Sequence, residues 1–473
     1  MVNYLSGVTA MERCGQRRGL SFAESALILT GVNLFSQILG FAYRVWLSRM
    51  VSPVGLGVYQ LVMPVYTVVM SLCVSGLTVA VSRLTATHLA RGRRDQVRRV
   101  IRLCLMSYIA LIVLVTLAVV PFSDAISAHL LGDARTRLGL LLMLPCMLLT
   151  GWENVHKNFF YGAKNVIPPA VAEIVEQVSR VTAVLGLLFW LRPLYEETQV
   201  ALIVTGMIVS EVFSATLLTV FYRRHMRRAE KQAGFSLDTR REKLGGLGPI
   251  AQIAIPIALS NGICNLIGSA NSVIVPGRLI LSGMDPEQSL SAFGVAFGMT
   301  LPLLGLPMAF IMAVSLTAMP RLTEAAALGK AAEVRHRAKQ ATLAATAVIV
   351  PLTALLIPYG QPLAQRLFRN PEAGMFMVPL AVAMVFNCYE YIFGAMLNGL
   401  GRQRQTAAVY IVTGLIQLVL TWALVARPNL RLMGYVMAYG ISNGLGAILF
   451  MLCLLDAAGK TDQEIARRSL QST

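Results

Sequence analysis

Four polar residues inside an otherwise apolar stretch have the clearest chemical potential in this sequence: Glu173, Glu176, Gln177 and Arg180. Their spacing of i, i+3, i+4 and i+7 places all four on one face of a helix. Each ionisable residue in a membrane helix costs about 2.5–3.5 kcal/mol on insertion scales, so such a group indicates a special role. Glu176 and Arg180 can pair across one turn. The face is therefore either a structural ion pair or a hydrated surface on which Arg180 binds an anionic substrate.

Other polar residues in apolar stretches could belong to the same site. Arginines near the ends of such stretches either snorkel towards the membrane surface or grip phosphate oxygens with the planar guanidinium. Amides four residues apart share a helix face. The predicted substrate-binding residues are Arg44, Arg49, Arg180, Arg278, Gln37, Asn33 and Gln177. Glu173 and Glu176 are predicted to serve either ion coupling or an ion pair.

The composition places these residues in a membrane. Of the 473 residues, 56% are hydrophobic and 14% are charged, and the mean hydropathy is +0.65. Soluble proteins average about 45–50% apolar and about 25% charged residues. A soluble enzyme, a DNA-binding factor and a disordered scaffold are therefore excluded. With no C-x-x-C pair and no G-x-x-x-x-G-K-[ST] motif, neither a metal site nor ATP hydrolysis is predicted, and no cofactor is expected.

Twelve apolar runs have the length of about 20 residues that a membrane helix needs, so the predicted fold is all-α and polytopic. The runs are 24–48, 57–82, 100–121, 138–159, 167–191, 198–222, 249–275, 289–318, 340–360, 375–399, 406–426 and 432–456. Most of the 41 Lys and Arg residues lie in alternate connecting segments, which include both termini and 223–243. By the positive-inside rule, both termini are predicted to be cytoplasmic in a bacterial plasma membrane. This topology explains the net charge of +18, so no nucleic-acid partner is expected.

An internal repeat predicts two parallel six-helix halves. The sequence Arg-Leu-Thr at 83–85 recurs at 321–323, and a helix-ending turn at 161–164 recurs at 400–403. Both pairs lie six runs apart, and because six is even, the two copies cross the membrane in the same direction. The predicted division is an N-lobe at 1–228, a cytoplasmic linker at 229–248 and a C-lobe at 249–473. Two such bundles are typical of transporters that rock around a central cavity.

Four stretches in this order resemble a known family: NLFSQILGFAYRVWLSRMVSPVGLGVYQLVMPVY (33–66), VSRLTATHLARGR (81–93), VEQVSR (175–180) and VIVPGRLILSG (273–283). They resemble the stage V sporulation protein B branch of the multidrug/oligosaccharidyl-lipid/polysaccharide exporter superfamily. The resemblance implies a V-shaped, two-lobed exporter without ATPase activity. It also implies polyprenyl-diphosphate-linked sugars as substrates, flipped for peptidoglycan or surface and spore polysaccharide. Where lipid II flippases of this superfamily have cavity arginines on the first helix, this sequence has Gln37 and Tyr43, followed by Arg44.

The expected function is a flippase that moves such a precursor from the inner to the outer leaflet by alternating access. We expect a monomer that contacts membrane lipid and the lipid-linked oligosaccharide, with cell-envelope synthesis enzymes as candidate partners. A cation-coupled multidrug exporter of the same superfamily is the alternative within transport. Alternatives of another class are a polytopic glycosyltransferase or polymerase and a membrane scaffold for envelope assembly. The short predicted outer loops disfavour the enzyme, and they contain no persuasive acid/base group.

Overall fold

The computed structural model describes residues 22–233, 246–327 and 331–471, and within these ranges the chain forms helices and no strands. The helices are α1 (Phe22–Met50), α2 (Pro53–Cys73), α3 (Ser75–Ala90), α4 (Arg94–Val119), α5 (Thr136–Gly162), α6 (Ile167–Leu191), α7 (Glu196–Ala233), α8 (Leu247–Leu281), α9 (Pro286–Phe293), α10 (Leu301–Ala327), α11 (Ala331–Phe368), α12 (Met377–Gly399), α13 (Gln403–Val425) and α14 (Leu432–Gln471). A π-helical turn, Gly294–Thr300, joins α9 to α10. The all-α fold predicted from the run lengths is confirmed.

In the described ranges, 11 segments are long and apolar enough to cross a membrane. They correspond to the second to twelfth predicted runs; α2 and α3 together form one of them, Pro53–Ala90. The first predicted run is α1, which has 29 residues and is long enough to cross, although it is not among the 11. Its apolar stretch is interrupted by Asn33, Gln37 and Arg44. Of the predicted linker 229–248, positions 234–245 lie outside the described residues.

The internal repeat is visible where the fourth helix of each half ends. Helix α5 ends at Gly162, where an added Cβ would lie 2.5 Å from Ser82 O, and α12 ends at Gly399, where it would lie 3.2 Å from Met319 O. The residues that follow the two glycines share φ −81° and ψ 5°. Next come Lys164 and Gly401, with φ of 55° and 77°. The structural register is therefore 237 residues. The sequence match of Gly162 with Gly401 was wrong by two positions, because it paired glycines rather than the left-handed turn residues.

The first and fifth helices of each half pack together, α1 on α6 and α8 on α13. Between the halves, α2 and α3 pack along α8, and α1 contacts α10 and α11. We refer to α1–α7 as the N-lobe and to α8–α14 as the C-lobe. Within each lobe, the fourth, fifth and sixth helices pack together: α5–α7 in the N-lobe and α12–α14 in the C-lobe. The polar residues of these helices meet there.

Candidate functional site

Six charged side chains meet inside the N-lobe, on three neighbouring helices. They are Glu153 and Lys157 on α5, Glu173, Glu176 and Arg180 on α6, and Glu211 on α7. We call them the N-lobe charge cluster. Helix α7 packs against both α5 and α6, which brings the three helices together. The i, i+4 spacing on α5 and the i, i+3, i+7 spacing on α6 then turn these residues towards one another.

Lys157 is the centre of the cluster. Its Nζ lies 2.7 Å from Glu153 Oε1, 2.9 Å from Glu173 Oε2 and 3.1 Å from Glu176 Oε2, and its side chain is 12% exposed. An ammonium group has three N–H donors and no acceptor; Lys157 donates to Glu173 and Glu176, and its contact with Glu153 is an ion pair. The ammonium group thus joins α5 to α6 by charge as well as by packing.

Arg180 extends the cluster to the third helix. Its Nη2 pairs with Glu176, four residues earlier, and lies 3.3 Å from Glu211 Oε1. Glu176 therefore bridges the two cations, with one carboxylate oxygen on each. The Arg180 guanidinium is held between two carboxylates, and a phosphate group would have to compete with both of them.

The cluster contains more acids than bases. Four carboxyl groups face two cations, which leaves two formal negative charges if all groups are ionised. Glu211 Oε2 and both oxygens of Glu153 are buried and accept no hydrogen bond; the close Lys157–Glu153 contact is an ion pair by distance only. Buried charges and acceptors without partners are costly. The cluster can therefore take up a proton or another cation.

The predicted substrate residues of α1 are exposed. Asn33, Gln37 and Arg44 all lie on its surface, and none makes a hydrogen bond or ion pair within the described part of the chain. Gln177 on α6 is half-buried and likewise has no hydrogen-bond partner among the described residues.

The other two predicted arginines bind backbone carbonyls at helix ends. Arg49 Nε donates to Leu367 O on α11 over 2.8 Å, so it joins the N-lobe to the C-lobe. Arg278 Nε donates to Trp422 O on α13 over 2.9 Å, and its guanidinium lies 4.3 Å from the centre of the Trp422 ring. Arg49 and Arg278 thus have different partners, on α11 and α13. Their role in substrate binding stays a prediction.

Glu153 and Lys157 were missed in the candidate set, although one signal was available. They form an i, i+4 pair of opposite charge inside the fourth predicted run, the same pattern that identified Glu176 and Arg180. Helix α5 continues regularly through Lys157 to Gly162, so Glu153 and Lys157 lie one turn apart on the same face. Glu211 lies in the sixth predicted run, 198–222. Its contact with Arg180 depends on how α6 and α7 are rotated relative to each other.

The C-lobe has a buried carboxyl at the corresponding place. Glu390 on α12 is 4% exposed, and Thr413 Oγ1 on α13 donates to its Oε1 over 3.3 Å. An added Cβ at Gly446 on α14 would clash with this carboxyl group, so the third helix leaves no room for a larger residue. Among the described residues, no Lys or Arg lies within ion-pair distance of Glu390.

Comparison with known proteins agrees with this two-lobed arrangement. Residues 22–325 match the family model of the polysaccharide biosynthesis proteins, and residues 256–423 match that of MatE. The chain belongs to the polysaccharide biosynthesis protein family. This confirms the predicted exporter superfamily and its stage V sporulation protein B-like branch.

Individual relatives are distant but extensive. Stage V sporulation protein B of Bacillus subtilis (strain 168) is 23% identical over 418 residues, which is 88% of this chain and 80% of that protein. Lipid II flippase MurJ of the same organism is 24% identical over 181 residues, 35% of this chain and 32% of that protein.

Among solved structures, an inward-facing multidrug resistance MATE family transporter of the MOP superfamily aligns with a TM-score of 0.73 and 15% identity, covering 93% of this chain and 99% of that chain. Fold and family together point to a multi-pass membrane protein of the transporter type.

Proposed function

We propose that this protein is a flippase that carries a polyprenyl-diphosphate-linked saccharide from the inner to the outer leaflet. Membership of the polysaccharide biosynthesis protein family supports a substrate used in making saccharides. The partial likeness to a lipid II flippase supports a lipid-linked one. In this proposal the protein lies in the plasma membrane of a bacterium with both termini in the cytoplasm, as the Lys and Arg distribution predicts.

The observation that carries the proposal is the exposed N-terminal half of α1. Leu34, Phe35 and Ile38 are 41%, 44% and 58% exposed, next to the equally exposed Asn33 and Gln37. By contrast, Val45 and Leu47 near the end of the helix are buried, where Arg49 reaches α11. Helix α10 also exposes Phe310 and Met312 beyond its first turns. The lobes thus meet at the predicted outer ends of α1 and α11, and the described residues leave the first half of α1 exposed towards the predicted cytoplasmic side.

A lipid-linked substrate fits this arrangement because its two parts need different surroundings. A hydrocarbon tail can stay in the bilayer beside the apolar surface of α1, while the headgroup enters between the lobes. Arg44 is exposed, without a partner in the described structure, and a guanidinium can bind diphosphate oxygens bidentately. A diphosphate carries about two negative charges, so outward transfer would gain about 4–5 kcal/mol per 100 mV of membrane potential, inside negative.

The test is flipping in proteoliposomes that contain a fluorescent polyprenyl-diphosphate sugar, with headgroup exposure on the far side as the readout. We expect transport by the wild-type protein, at least a tenfold loss with Arg44→Gln, which corresponds to about 1.4 kcal/mol, and no loss with Arg427→Gln. Arg427 is an exposed arginine between α13 and α14, so the control makes the same change of charge away from α1. If the wild-type protein moved none of the substrate, the proposal would be wrong.

The alternative, a cation-coupled multidrug exporter, is favoured by a different observation. The excess of carboxyl groups in the N-lobe charge cluster would attract a proton, a sodium ion or an organic cation, not a diphosphate. The same proteoliposomes distinguish the two functions. Counter-flow of a lipophilic organic cation driven by a proton or sodium gradient, without any flipping of the lipid-linked sugar, would favour the exporter.

A further inference from the structure

A groove of about 570 Å³ opens on the surface of the N-lobe between α4, α5 and α7, apart from the N-lobe charge cluster. Four arginines line it in two pairs: Arg98 and Arg102 on α4, and Arg223 and Arg227 on α7. Each pair has i, i+4 spacing, so like charges stack on one face of each helix, which by itself is unfavourable. Among the described residues, no acidic side chain lines the groove. Two helices that turn four arginines towards a common groove indicate an anionic ligand.

The rest of the groove is apolar. Ile101, Leu105, Met106 and Ile109 continue along α4 beyond its arginines, and Trp152 closes the groove from α5. Met106 and Ile109 are 60% and 36% exposed, so their side chains have room for a hydrocarbon chain beside them. A free inorganic anion has no use for this wall. A ligand with a charged head and a hydrocarbon tail matches both parts.

The length of the groove corresponds to one leaflet. From Arg98 to Ile109, α4 rises about 16 Å at 1.5 Å per residue, and half the hydrocarbon thickness of a bilayer is about 15 Å. The arginines lie close to the ends of the spans, where headgroups are, and Ile109 lies near the depth at which acyl chains end. Basic pockets between membrane helices at this level are suited to anionic lipid headgroups.

From this geometry we propose that the groove between α4 and α7 binds an anionic glycerophospholipid of the adjacent leaflet, with its phosphate on Arg102, Arg223 and Arg227 and an acyl chain along Met106 and Ile109. The site is separate from the proposed substrate path, because none of its lining residues belongs to α1 or α10. The bound lipid offsets the repulsion between Arg223 and Arg227 and joins α4 to α7.

The test is native mass spectrometry of the full chain in detergent, with phosphatidylglycerol and phosphatidylcholine offered separately. The wild-type protein should retain phosphatidylglycerol in preference. Arg223→Gln/Arg227→Gln should weaken this retention about thirtyfold, because each arginine near an anionic headgroup contributes about 1 kcal/mol and 1.4 kcal/mol is tenfold. The matched control is Arg224→Gln/Arg228→Gln on the same helix, which removes the same charge from residues that do not line the groove. It should leave retention unchanged, and Arg223→Lys/Arg227→Lys should keep most of it.

Four results would overturn the proposal: equal loss in both glutamine double variants, equal retention of phosphatidylcholine, full competition by millimolar inorganic phosphate, and retention of a polyprenyl phosphate in place of phosphatidylglycerol. The last two would assign the groove to a soluble anion or to the carrier lipid. If the glutamine double variant failed to fold, Met106→Glu would serve instead, since it places a negative charge on the apolar wall. It should abolish retention of phosphatidylglycerol, and unchanged retention would contradict the proposal.

Discussion

The two lobes place a buried glutamate at the same position, Glu153 on α5 and Glu390 on α12, and surround it in opposite ways. At the register of 237 residues, the pairs are Glu153 and Glu390, Lys157 and Gly394, Glu173 and Tyr410, Glu176 and Thr413, and Arg180 and Gln417. In the N-lobe the neighbours are charged. In the C-lobe they are a glycine, two hydroxyl groups and an amide, and Thr413 Oγ1 donates to the carboxyl group. The two lobes thus share the backbone arrangement and one buried glutamate. They differ in the charge of the side chains around that glutamate.

The difference bears on whether the N-lobe charge cluster serves packing alone. Maintaining six ionisable groups within one lobe is expensive, and apolar residues of similar volume would often be at least as stable. A cluster that serves packing alone would be expected in both lobes, since the helices meet in the same way in each. Among the described residues the cluster is restricted to the N-lobe, which is what a role beyond packing predicts; ion coupling by Glu173 and Glu176 stays a prediction.

The largest effect is expected at the centre of the cluster. Lys157→Met leaves Glu153 and Glu173 without a cation and removes one of two from Glu176, so we expect a loss of about 3–5 kcal/mol in stability. Thermal unfolding of the purified protein in detergent would measure it. Adding Glu153→Gln and Glu173→Gln should recover most of the loss, because they remove the stranded charges. An unchanged unfolding temperature for Lys157→Met alone would contradict the central role of this residue.

The next effect concerns Gly162 and Gly399, the two glycines at which matching helices of the lobes end. Gly162→Ala would place its Cβ 2.5 Å from Ser82 O, a backbone atom that cannot move aside, and we expect a loss of about 1–3 kcal/mol. Gly399→Ala meets the flexible Met319 side chain at 2.9 Å and the carbonyl only at 3.2 Å, so its loss should be smaller. The unfolding temperatures of the two variants, compared side by side, test whether the N-lobe is also the more tightly packed copy. A larger loss of stability for Gly399→Ala than for Gly162→Ala would contradict this expectation.

A third effect separates contacts between lobes from contacts within one. Arg49→Gln removes a bond from α1 to α11, across the lobes, whereas Arg278→Gln removes a bond from α8 to α13, inside the C-lobe. A hydrogen bond contributes about 1 kcal/mol, so Arg49→Gln should raise the outward-open population by about fivefold. Arg278→Gln should change stability but not this population. Distances between spin labels at the exposed positions Arg192 and Arg369 would report the opening. A change with Arg278→Gln alone would contradict the assignment.

The hydropathy of the sequence predicted the spans well, because a membrane helix needs a long apolar run and few other structures do. The register of the repeat was less accurate, since the positions that correspond, Lys164 and Gly401, share a left-handed backbone and not a residue type. The i, i+4 rule identified Glu176 and Arg180 on a single helix. It could not identify Glu211 as their neighbour, because a contact between helices depends on their rotation.

The partners of Arg49 and Arg278 were beyond prediction for another reason. Both arginines bind backbone carbonyls, and every helix end offers such groups, so no residue type marks Leu367 or Trp422 as an acceptor. The prediction that these arginines share a site with Arg180 came from their places near the ends of apolar stretches. In the structure Arg49 reaches α11, Arg278 reaches α13 and Arg180 stays within the N-lobe charge cluster.

The smallest effect is expected for Glu390→Gln. This variant tests whether the buried carboxyl group of the C-lobe carries a charge. No Lys or Arg of the described residues pairs with this buried carboxyl group, and glutamine has nearly the same shape and still accepts from Thr413 Oγ1. Glu390→Gln should therefore cost less than about 1 kcal/mol. Glu176→Gln should cost clearly more, because Lys157 and Arg180 both lose a charged partner. Thermal unfolding of the two variants decides the matter. If Glu390→Gln were as damaging as Glu176→Gln, the C-lobe carboxyl would have to be ionised and balanced by a bound cation, and the two lobes would carry equivalent sites.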